Sequence, residues 1–182
     1  LMTDKINILG ETDFQTANII DGTAIAERVR ASVARRTAIL KAEYDLTPTL
    51  AVILVGDNPA SQVYVASKTK RAAEAGMKAR DINMAESAAQ EQLVSVVEEL
   101  NNDKDVHAIL VQMPLPPQIN GEEILNVLDP AKDVDGLHVI NTGLLSSGRV
   151  GIIPATPLGC LGLIKSVVKD LTGLEAVVVG RS

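Results

Sequence analysis

The apolar run Leu50–Val55 is the feature that most constrains how this chain folds. It is closed at once by the turn signal Gly56-Asp57-Asn58-Pro59. A short apolar run bounded in this way is typical of a strand buried on both faces, as in parallel sheets. Val106–Val111 repeats the pattern, and segments with apolar residues at helical spacing lie between the strand candidates. This alternation predicts an α/β fold whose parallel sheet has right-handed crossovers and helices on both faces.

The predicted elements divide the chain into two parts. Residues 1–155 are expected to form a three-layer catalytic domain, and residues 156–182 a connecting helix with the start of a second domain. In chain order we predict an irregular arm at 1–16, a strand at 18–20, a helix at 23–43, a strand at 50–55, a helix at 61–75 capped by Ser61, an outer strand at 78–84, a helix at 88–101, a strand at 106–111, a short helix at 121–128, a loop region at 129–151, a helix from Thr156-Pro157 to about Asp170, and a strand at 175–180.

The last predicted strand suggests what the second domain is. Val177–Gly180 resembles the first strand and phosphate-binding turn of a Rossmann-type NAD(P)-binding domain. Gly180, Arg181 and Ser182 are therefore candidate cofactor contacts, although a single glycine after a strand is a weak signal. Because Ser182 falls inside this turn, we expect the polypeptide to continue beyond it.

Composition excludes several classes of function. The net charge is −6 and no basic stretch is interleaved with aromatic residues, so nucleic acid and anionic membranes are poor partners. No apolar segment approaches the ~18 residues of a membrane span, and the first residues lack a signal-peptide pattern. Cys160 is the single cysteine, which excludes an internal disulfide and favours a reducing compartment. We expect Cys160 to be buried, and the protein to be cytoplasmic.

Three side chains are predicted to meet where strands end. Tyr64 and Lys68 lie four residues apart, so they share one face of the helix after strand 50–55. Open α/β sheets bind ligands at the carboxyl ends of their strands. A partly shielded lysine there is suited to acid–base catalysis, and Gln112, which ends the next apolar strand, is placed to hold its amine. The alternatives are a solvated lysine, a packing tyrosine and a glutamine bonded to backbone.

Asp135 lies in the polar loop Lys132–His138. A carboxylate here suits recognition of an amino-pyrimidine edge, because it accepts hydrogen bonds from paired N–H groups. Asp133 and Asp135 lack a third acidic ligand at calcium-loop spacing and a His pair, so no metal site is predicted. His138 is expected to be a structural hydrogen-bonding residue. The proline-rich run Met113–Pro117 predicts a stiff cleft wall in which a cis X-Pro bond is allowed.

Together these segments resemble the bifunctional methylenetetrahydrofolate dehydrogenase/methenyltetrahydrofolate cyclohydrolase family. The likeness covers residues 18–182 and is carried by five motifs, Val55–Lys68, Val111–Pro116, Lys132–Gly136, Pro154–Gly159 and Gly180–Ser182. Enzymes of this family oxidise 5,10-methylenetetrahydrofolate by hydride transfer to NADP or NAD, and then hydrolyse the methenyl product to 10-formyltetrahydrofolate.

The resemblance implies a role for each candidate residue. Lys68 would be the catalytic lysine, needed above all for hydrolysis. Tyr64 would stack on the aminobenzoyl ring of the folate and orient Lys68, and Gln112 would hydrogen-bond Lys68. Asp135 would hold the pterin ring, and Gly180–Ser182 would contact the cofactor phosphates. The resemblance also implies a homodimer.

Three alternatives stay open. The chain could belong to a monofunctional dehydrogenase, which Lys68 disfavours, because the hydrolytic step is where this lysine is needed. It could be a non-catalytic binding or regulatory module that kept the pocket. It could also belong to a dehydrogenase of a small acid with a similar substrate domain. The choice between NADP and NAD depends on residues after Ser182, although Arg181 could approach a 2′-phosphate.

Overall fold

Three parallel strands form the centre of the molecule. The computed structural model describes residues 19–180. Strand β1 (Thr49–Val55) lies between β2 (Lys78–Met84) and β3 (Ala108–Val111) and pairs in parallel with both. The central position of β1 explains its unbroken apolar run, because such a strand is covered on both faces. The predicted outer position of β2 is confirmed, and β3 begins two residues later than predicted.

Helices precede, connect and follow the strands in the described part of the chain. They are α1 (Gly22–Tyr44), α2 (Pro59–Glu74), α3 (Gln90–Asn102), α4 (Gly121–Val127), α5 (Val139–Ser146) and α6 (Ala155–Val167). All except α5 were predicted, with ends that differ by a few residues. Over residues 19–180, none of these helices combines the length and apolar character that crossing a membrane requires.

Both faces of the sheet are covered by helices. On one face, Ile53 packs in a cluster with Leu93 of α3 and Ile124 of α4. On the other face, Val52 packs with Val65 of α2. Successive side chains of a strand point to opposite faces, so β1 contributes to both clusters. The predicted three-layer α/β architecture is therefore confirmed.

The first predicted strand is not formed. Ile19 and Ile20 are irregular, with 93% and 40% of their surface exposed. The prediction is wrong for these two residues because no other strand pairs with them within the described ranges, and an isolated strand leaves its backbone groups without partners. Asn18 and the predicted arm over residues 1–16 lie outside the described residues.

Helix α2 begins before the predicted cap. The side-chain oxygen of Asn58 accepts hydrogen bonds from the backbone N–H groups of Ala60 at 3.0 Å and Ser61 at 3.2 Å. Asn58 is therefore the N-cap, and Ser61 is a buried residue of the first turn. Pro59 occupies the first helical position, where its missing N–H leaves no hydrogen bond unmade.

Helix α5 lies inside the region predicted to be a loop. His138 precedes it, and its Nδ1 accepts a hydrogen bond from the backbone N–H of Ile140 at 3.0 Å. The structural role predicted for His138 is thereby confirmed. Asn141 is the one buried residue of α5. The helix is short and lies in a segment rich in Gly, Asp and Asn, a composition that predicted a loop.

The segment from α6 onward differs most from prediction. Helix α6 begins at Ala155, one residue before the predicted cap at Thr156, and ends at Val167 rather than near Asp170. Cys160, expected to be buried, is exposed. The exposure of Cys160 follows from the position of α6 at the surface, because none of its residues is buried in this part of the structure.

Residues 175–180 do not form the predicted strand. Val177, Val178 and Val179 are 88%, 93% and 94% exposed. They pair with no strand in the portion of the chain that the structure describes. The β-branched run predicted a strand, but a strand forms only where a neighbour accepts its hydrogen bonds. The boundary at residues 155 and 156 stays a prediction.

The loop Lys132–Gly136 is fastened to the edge of the sheet. The backbone N–H of Ile109 donates to the carbonyl oxygen of Lys132 at 2.8 Å, and Ile109 forms an isolated parallel bridge with Asp133. The ammonium group of Lys132 donates to three carbonyl oxygens at the end of α3, at 2.8–2.9 Å, those of Leu100, Asn101 and Asp103. A helix leaves such terminal carbonyls without internal partners, so Lys132 ties the loop to α3.

Gly136 closes this loop at a point of close backbone approach. Its φ of +67° lies in the left-handed region, and an added Cβ would stand 2.7 Å from the backbone nitrogen of Pro154. The neighbouring atoms belong to the backbone of residues 152–154. They cannot turn away as a side chain can, so this position requires glycine.

We expect Gly136→Ala to destabilise the protein more than Gly148→Ala. Gly148 has a similar φ of +68°, but nothing lies within 4 Å of its added Cβ. The control variant should lose about 1 kcal/mol from backbone strain. Gly136→Ala should lose about 1–3 kcal/mol more, because the methyl group is forced against backbone. Urea unfolding measures both, and equal losses would contradict the close approach.

Candidate functional site

Helix α2 brings Tyr64 and Lys68 to the carboxyl end of β1. Gly56 follows the strand with a φ of +88°, a conformation that favours glycine, and lets the chain turn into the helix. Tyr64 is 63% exposed, and Lys68 is half-buried. The two residues are one turn apart, so an open aromatic ring and a shielded amine share one face of α2.

Gln112 holds the amine of Lys68. The Nζ of Lys68 donates to Oε1 of Gln112 at 3.0 Å. The side-chain nitrogen of Gln112 donates to the carbonyl oxygen of Met113 at 2.6 Å, which leaves the amide oxygen to face the lysine. The backbone N–H of Gln112 donates to the carbonyl oxygen of Ile53 on β1 at 2.9 Å. The predicted contact between Lys68 and Gln112 is present, and β1 fixes the glutamine backbone.

Asp133 organises the loop that carries Asp135. It is 1% exposed. One carboxylate oxygen accepts from the backbone N–H of Gly136 at 3.1 Å; the other accepts from the backbone N–H of His138 at 2.8 Å and from Nδ2 of Asn141 at 3.1 Å. A buried carboxylate is stable only when such donors compensate its lost hydration. Asp133 therefore locks the turn on either side of Asp135.

Asp135 itself is half-buried, and the positive charge of Lys68 acts on its carboxyl group. Burial raises the pKa of the Asp135 carboxyl, the positive charge of Lys68 acts in the opposite direction, and the negative charge of Asp133 adds to the rise. The structure thus brings Tyr64, Lys68, Gln112 and Asp135 to one edge of the sheet. A shielded amine beside a partly desolvated carboxylate can exchange protons and bind N–H donors.

A groove of about 290 Å³ lies at the carboxyl end of β1. It is lined by the Val55–Asn58 turn, Glu86 and the run Pro114–Pro117. The prolines form one wall, as predicted, and the bond between Met113 and Pro114 is cis. The groove lies at the same end of β1 as the cluster, but the residues that line it do not include Tyr64, Lys68, Gln112 or Asp135.

The other candidate ligand sites receive less support. Over the described residues, no group of three or more His, Cys, Asp or Glu side chains is placed to hold a metal ion. Gly180 is exposed and irregular, and Arg181 and Ser182 lie outside the described residues. The cofactor turn therefore stays a prediction.

Two structural residues of this site were missed by sequence reasoning. Asp133 was considered only as a metal ligand, and Asn141 was placed in a loop without a role. Asn141 is 3% exposed and hydrogen-bonds Asp133. The density of Asp, Asn and Gly in this region was the available signal, because such residues often support turns through side-chain hydrogen bonds.

Comparison with known proteins gives consistent matches. A profile described as tetrahydrofolate dehydrogenase/cyclohydrolase, catalytic domain, matches residues 20–135. The Bifunctional protein FolD of Cereibacter sphaeroides is 50% identical over 167 residues, which cover 92% of this chain and 56% of that protein. This chain therefore spans little more than half the length of such relatives.

Solved structures agree in fold. The bifunctional methylenetetrahydrofolate dehydrogenase/cyclohydrolase FolD from Campylobacter jejuni superposes with a TM-score of 0.88 at 42% identity, covering 91% of this chain and 58% of that one. A methylenetetrahydrofolate dehydrogenase-cyclohydrolase from Trypanosoma brucei, described as complexed with NADP cofactor and inhibitor, gives 0.79 at 33% identity, covering 82% and 52%.

The raised pKa of Asp135 predicts how its replacement affects stability. Because the carboxyl ionises less readily in the folded protein, wild type loses stability as the pH rises from the ordinary value of 3.8 through the higher folded value. Asp135→Asn removes this loss. The difference in free energy of unfolding, variant minus wild type, should therefore increase across that window and then stay constant. Urea unfolding at a series of pH values measures it, and a flat or falling difference would be inconsistent with a raised pKa.

Proposed function

This chain belongs to the tetrahydrofolate dehydrogenase/cyclohydrolase family, and we propose that it forms the folate site of a bifunctional enzyme of one-carbon metabolism. The proposed enzyme oxidises 5,10-methylenetetrahydrofolate to the methenyl compound with NADP, and hydrolyses that compound to 10-formyltetrahydrofolate. The observation that carries the proposal is the 3.0 Å hydrogen bond between Lys68 and Gln112, made at the carboxyl end of the sheet near Asp135.

Each residue of the cluster has a proposed task. Asp135 accepts N–H donors from the amino-pyrimidine edge of the pterin, since an ionised carboxylate accepts two hydrogen bonds side by side. Tyr64 offers an exposed ring on which the aminobenzoyl ring can stack. Gln112 keeps the amine of Lys68 in place between these two contacts.

The hydrolytic step needs a positioned proton carrier. Water attacks the methenyl carbon, which is already an activated iminium centre, and a carbon–oxygen bond forms. We propose that the proton released by this water passes to the amine of Lys68. The bond from this carbon to one ring nitrogen then breaks, and that nitrogen takes the proton from Lys68. The remaining hydroxyl proton leaves to solvent as the C=O bond of the formyl group forms, and the formyl group stays on the other nitrogen. Orientation and proton transfer are the contributions that this site makes.

The oxidation step takes its hydride acceptor from elsewhere in the protein. We propose NADP, with NAD as the alternative, because the Trypanosoma brucei relative is described with NADP. The cofactor supplies the redox chemistry when bound. Gly180, Arg181 and Ser182 remain its proposed phosphate contacts, in a second domain that begins at residue 156.

The remaining parts of the proposal concern the state of the protein. We propose a cytoplasmic homodimer whose ligands are small molecules. The net charge of −6 supports the exclusion of nucleic acid and anionic membranes as partners. Size-exclusion chromatography with light scattering would test the dimer directly.

We expect Lys68→Ala to abolish most of the hydrolysis of 5,10-methenyltetrahydrofolate. Loss of a positioned acid–base group should lower kcat about 100-fold or more. Lys70→Ala is the matched control, because Lys70 is exposed on the same helix and makes only a 4.0 Å ion pair with Glu74. Disappearance of the methenyl chromophore measures the rate.

Near wild-type hydrolysis by Lys68→Ala would remove the catalytic assignment. A protein that binds tetrahydrofolate but neither hydrolyses the methenyl compound nor reduces NADP in the presence of 5,10-methylenetetrahydrofolate would instead be a binding module. The two assays therefore separate an incorrect residue from an incorrect function.

We expect Asp135→Ala to weaken tetrahydrofolate binding by about 2–4 kcal/mol, because the ligand's paired N–H donors lose a charged acceptor. Isothermal titration calorimetry measures the dissociation constant. Asp105→Ala removes an exposed carboxylate beyond the opposite end of the sheet and should bind as wild type does. Unchanged affinity in Asp135→Ala would show that this carboxylate does not hold the pterin.

A further inference from the structure

Asn141 connects three segments of the chain around the candidate site. Its Nδ2 donates to the carbonyl oxygen of Pro130 at 2.9 Å and to the Asp133 carboxylate at 3.1 Å. Its side-chain oxygen accepts from the backbone N–H of Ile152 at 3.3 Å. At 3% exposure, this amide uses both its donor and its acceptor groups inside the protein.

Asp135 depends on these contacts because its own side chain is not held. Among the described residues, no protein group donates a hydrogen bond to the Asp135 carboxylate, so its position is set through the backbone of its loop. That backbone is fixed by the bonds from Gly136 and His138 to Asp133. Asp133 is in turn held by Asn141. A continuous chain of contacts therefore runs from Asn141 to the backbone on each side of Asp135.

Asn141 is also the main anchor of α5. The helix buries no other residue, and its apolar side chains Val139, Ile140 and Leu145 are 65%, 51% and 45% exposed. Neither Asn141 nor Asp133 belongs to the apolar clusters around β1. Loss of the Asn141 amide should therefore loosen α5 and the Gly136–His138 part of the loop. Lys132 and the bridge between Ile109 and Asp133 keep the start of the loop on the sheet, which stays folded with its covering helices.

We propose that Asn141 is a positioning residue for substrate, which acts through Asp133 to hold Asp135 at the pterin-binding edge of the cleft. This inference rests on the proposed function, because it requires that Asp135 binds the ligand. Asn141 itself contacts no substrate in this proposal. It contributes to affinity by preorganising the loop, so that the carboxylate is already placed when the ligand arrives.

A double-mutant cycle tests the proposal. Tetrahydrofolate affinity is measured by calorimetry for wild type, Asn141→Ala, Asp135→Ala and the double variant. Asn141→Ala should weaken binding about 10-fold in the wild-type background and less than about 2-fold in the Asp135→Ala background, because the residue acts through Asp135. In the hydrolysis assay, Asn141→Ala should raise KM more than it lowers kcat.

The control separates positioning from a general loss of stability. Asn120 caps α4 by accepting from the backbone N–H groups of Glu122 and Glu123. Asn120→Ala should therefore destabilise the protein but leave tetrahydrofolate affinity within about 2-fold of wild type. If Asn141→Ala does not fold, Asn141→Ser replaces it in the cycle, since serine keeps a small polar group at this buried position.

The possible outcomes distinguish an error in the positioning role from an error in the proposed function. Equal losses of affinity from Asn141→Ala in both backgrounds, or no loss in either, would overturn the positioning role while the proposed function stands. Wild-type protein that does not bind tetrahydrofolate would overturn the proposed function, and this inference with it. A loss confined to the background that contains Asp135 supports both.

Discussion

The parallel pairing of β1 with β3 is the constraint on which the candidate site depends. In this register Ile53 lies opposite Val111. Gln112, the first residue after β3, therefore lies beside the carboxyl end of β1. The ladder continues by one hydrogen bond, from the backbone N–H of Gln112 to the carbonyl oxygen of Ile53. Helix α2 starts from the same end of β1. The contact between Lys68 and Gln112 is therefore a consequence of strand order.

This origin explains which parts of the site were predictable. Gln112 follows β3 directly, and Tyr64 and Lys68 lie on the helix that comes after β1. Hydrophobic periodicity locates such strands well. Their meeting required only that two neighbouring parallel strands end at one edge of a sheet. The apolar clusters were predictable for the same reason, because alternate residues of β1 must point to opposite faces.

The parts that were not predicted depend on polar contacts or on missing neighbours. Helix α5 is short, buries a single residue, Asn141, and lies among Gly, Asp and Asn residues whose composition predicted a loop. The donors to the Asp133 carboxylate lie three, five and eight residues later in the chain, but apolar periodicity carries no information about which donors a buried carboxylate meets. For the run Val177–Val179, a strand was predicted and none is formed. Its composition favours a strand, but the described part of the chain provides no strand to pair with it.

The two halves of the site are thus built by different forces. Lys68 and Gln112 stand on elements packed by apolar contacts, whereas Asp135 stands on a loop held by a buried carboxylate and an amide. The second arrangement leaves Asp135 partly desolvated, and burial is the main cause of its raised pKa. A ligand that donates paired N–H groups would replace the lost hydration and stabilise the ionised form. Folding has therefore already removed part of the hydration of this carboxylate before a ligand binds. A ligand with matching N–H donors restores the lost hydrogen bonds, whereas a ligand without them leaves the carboxylate unsatisfied.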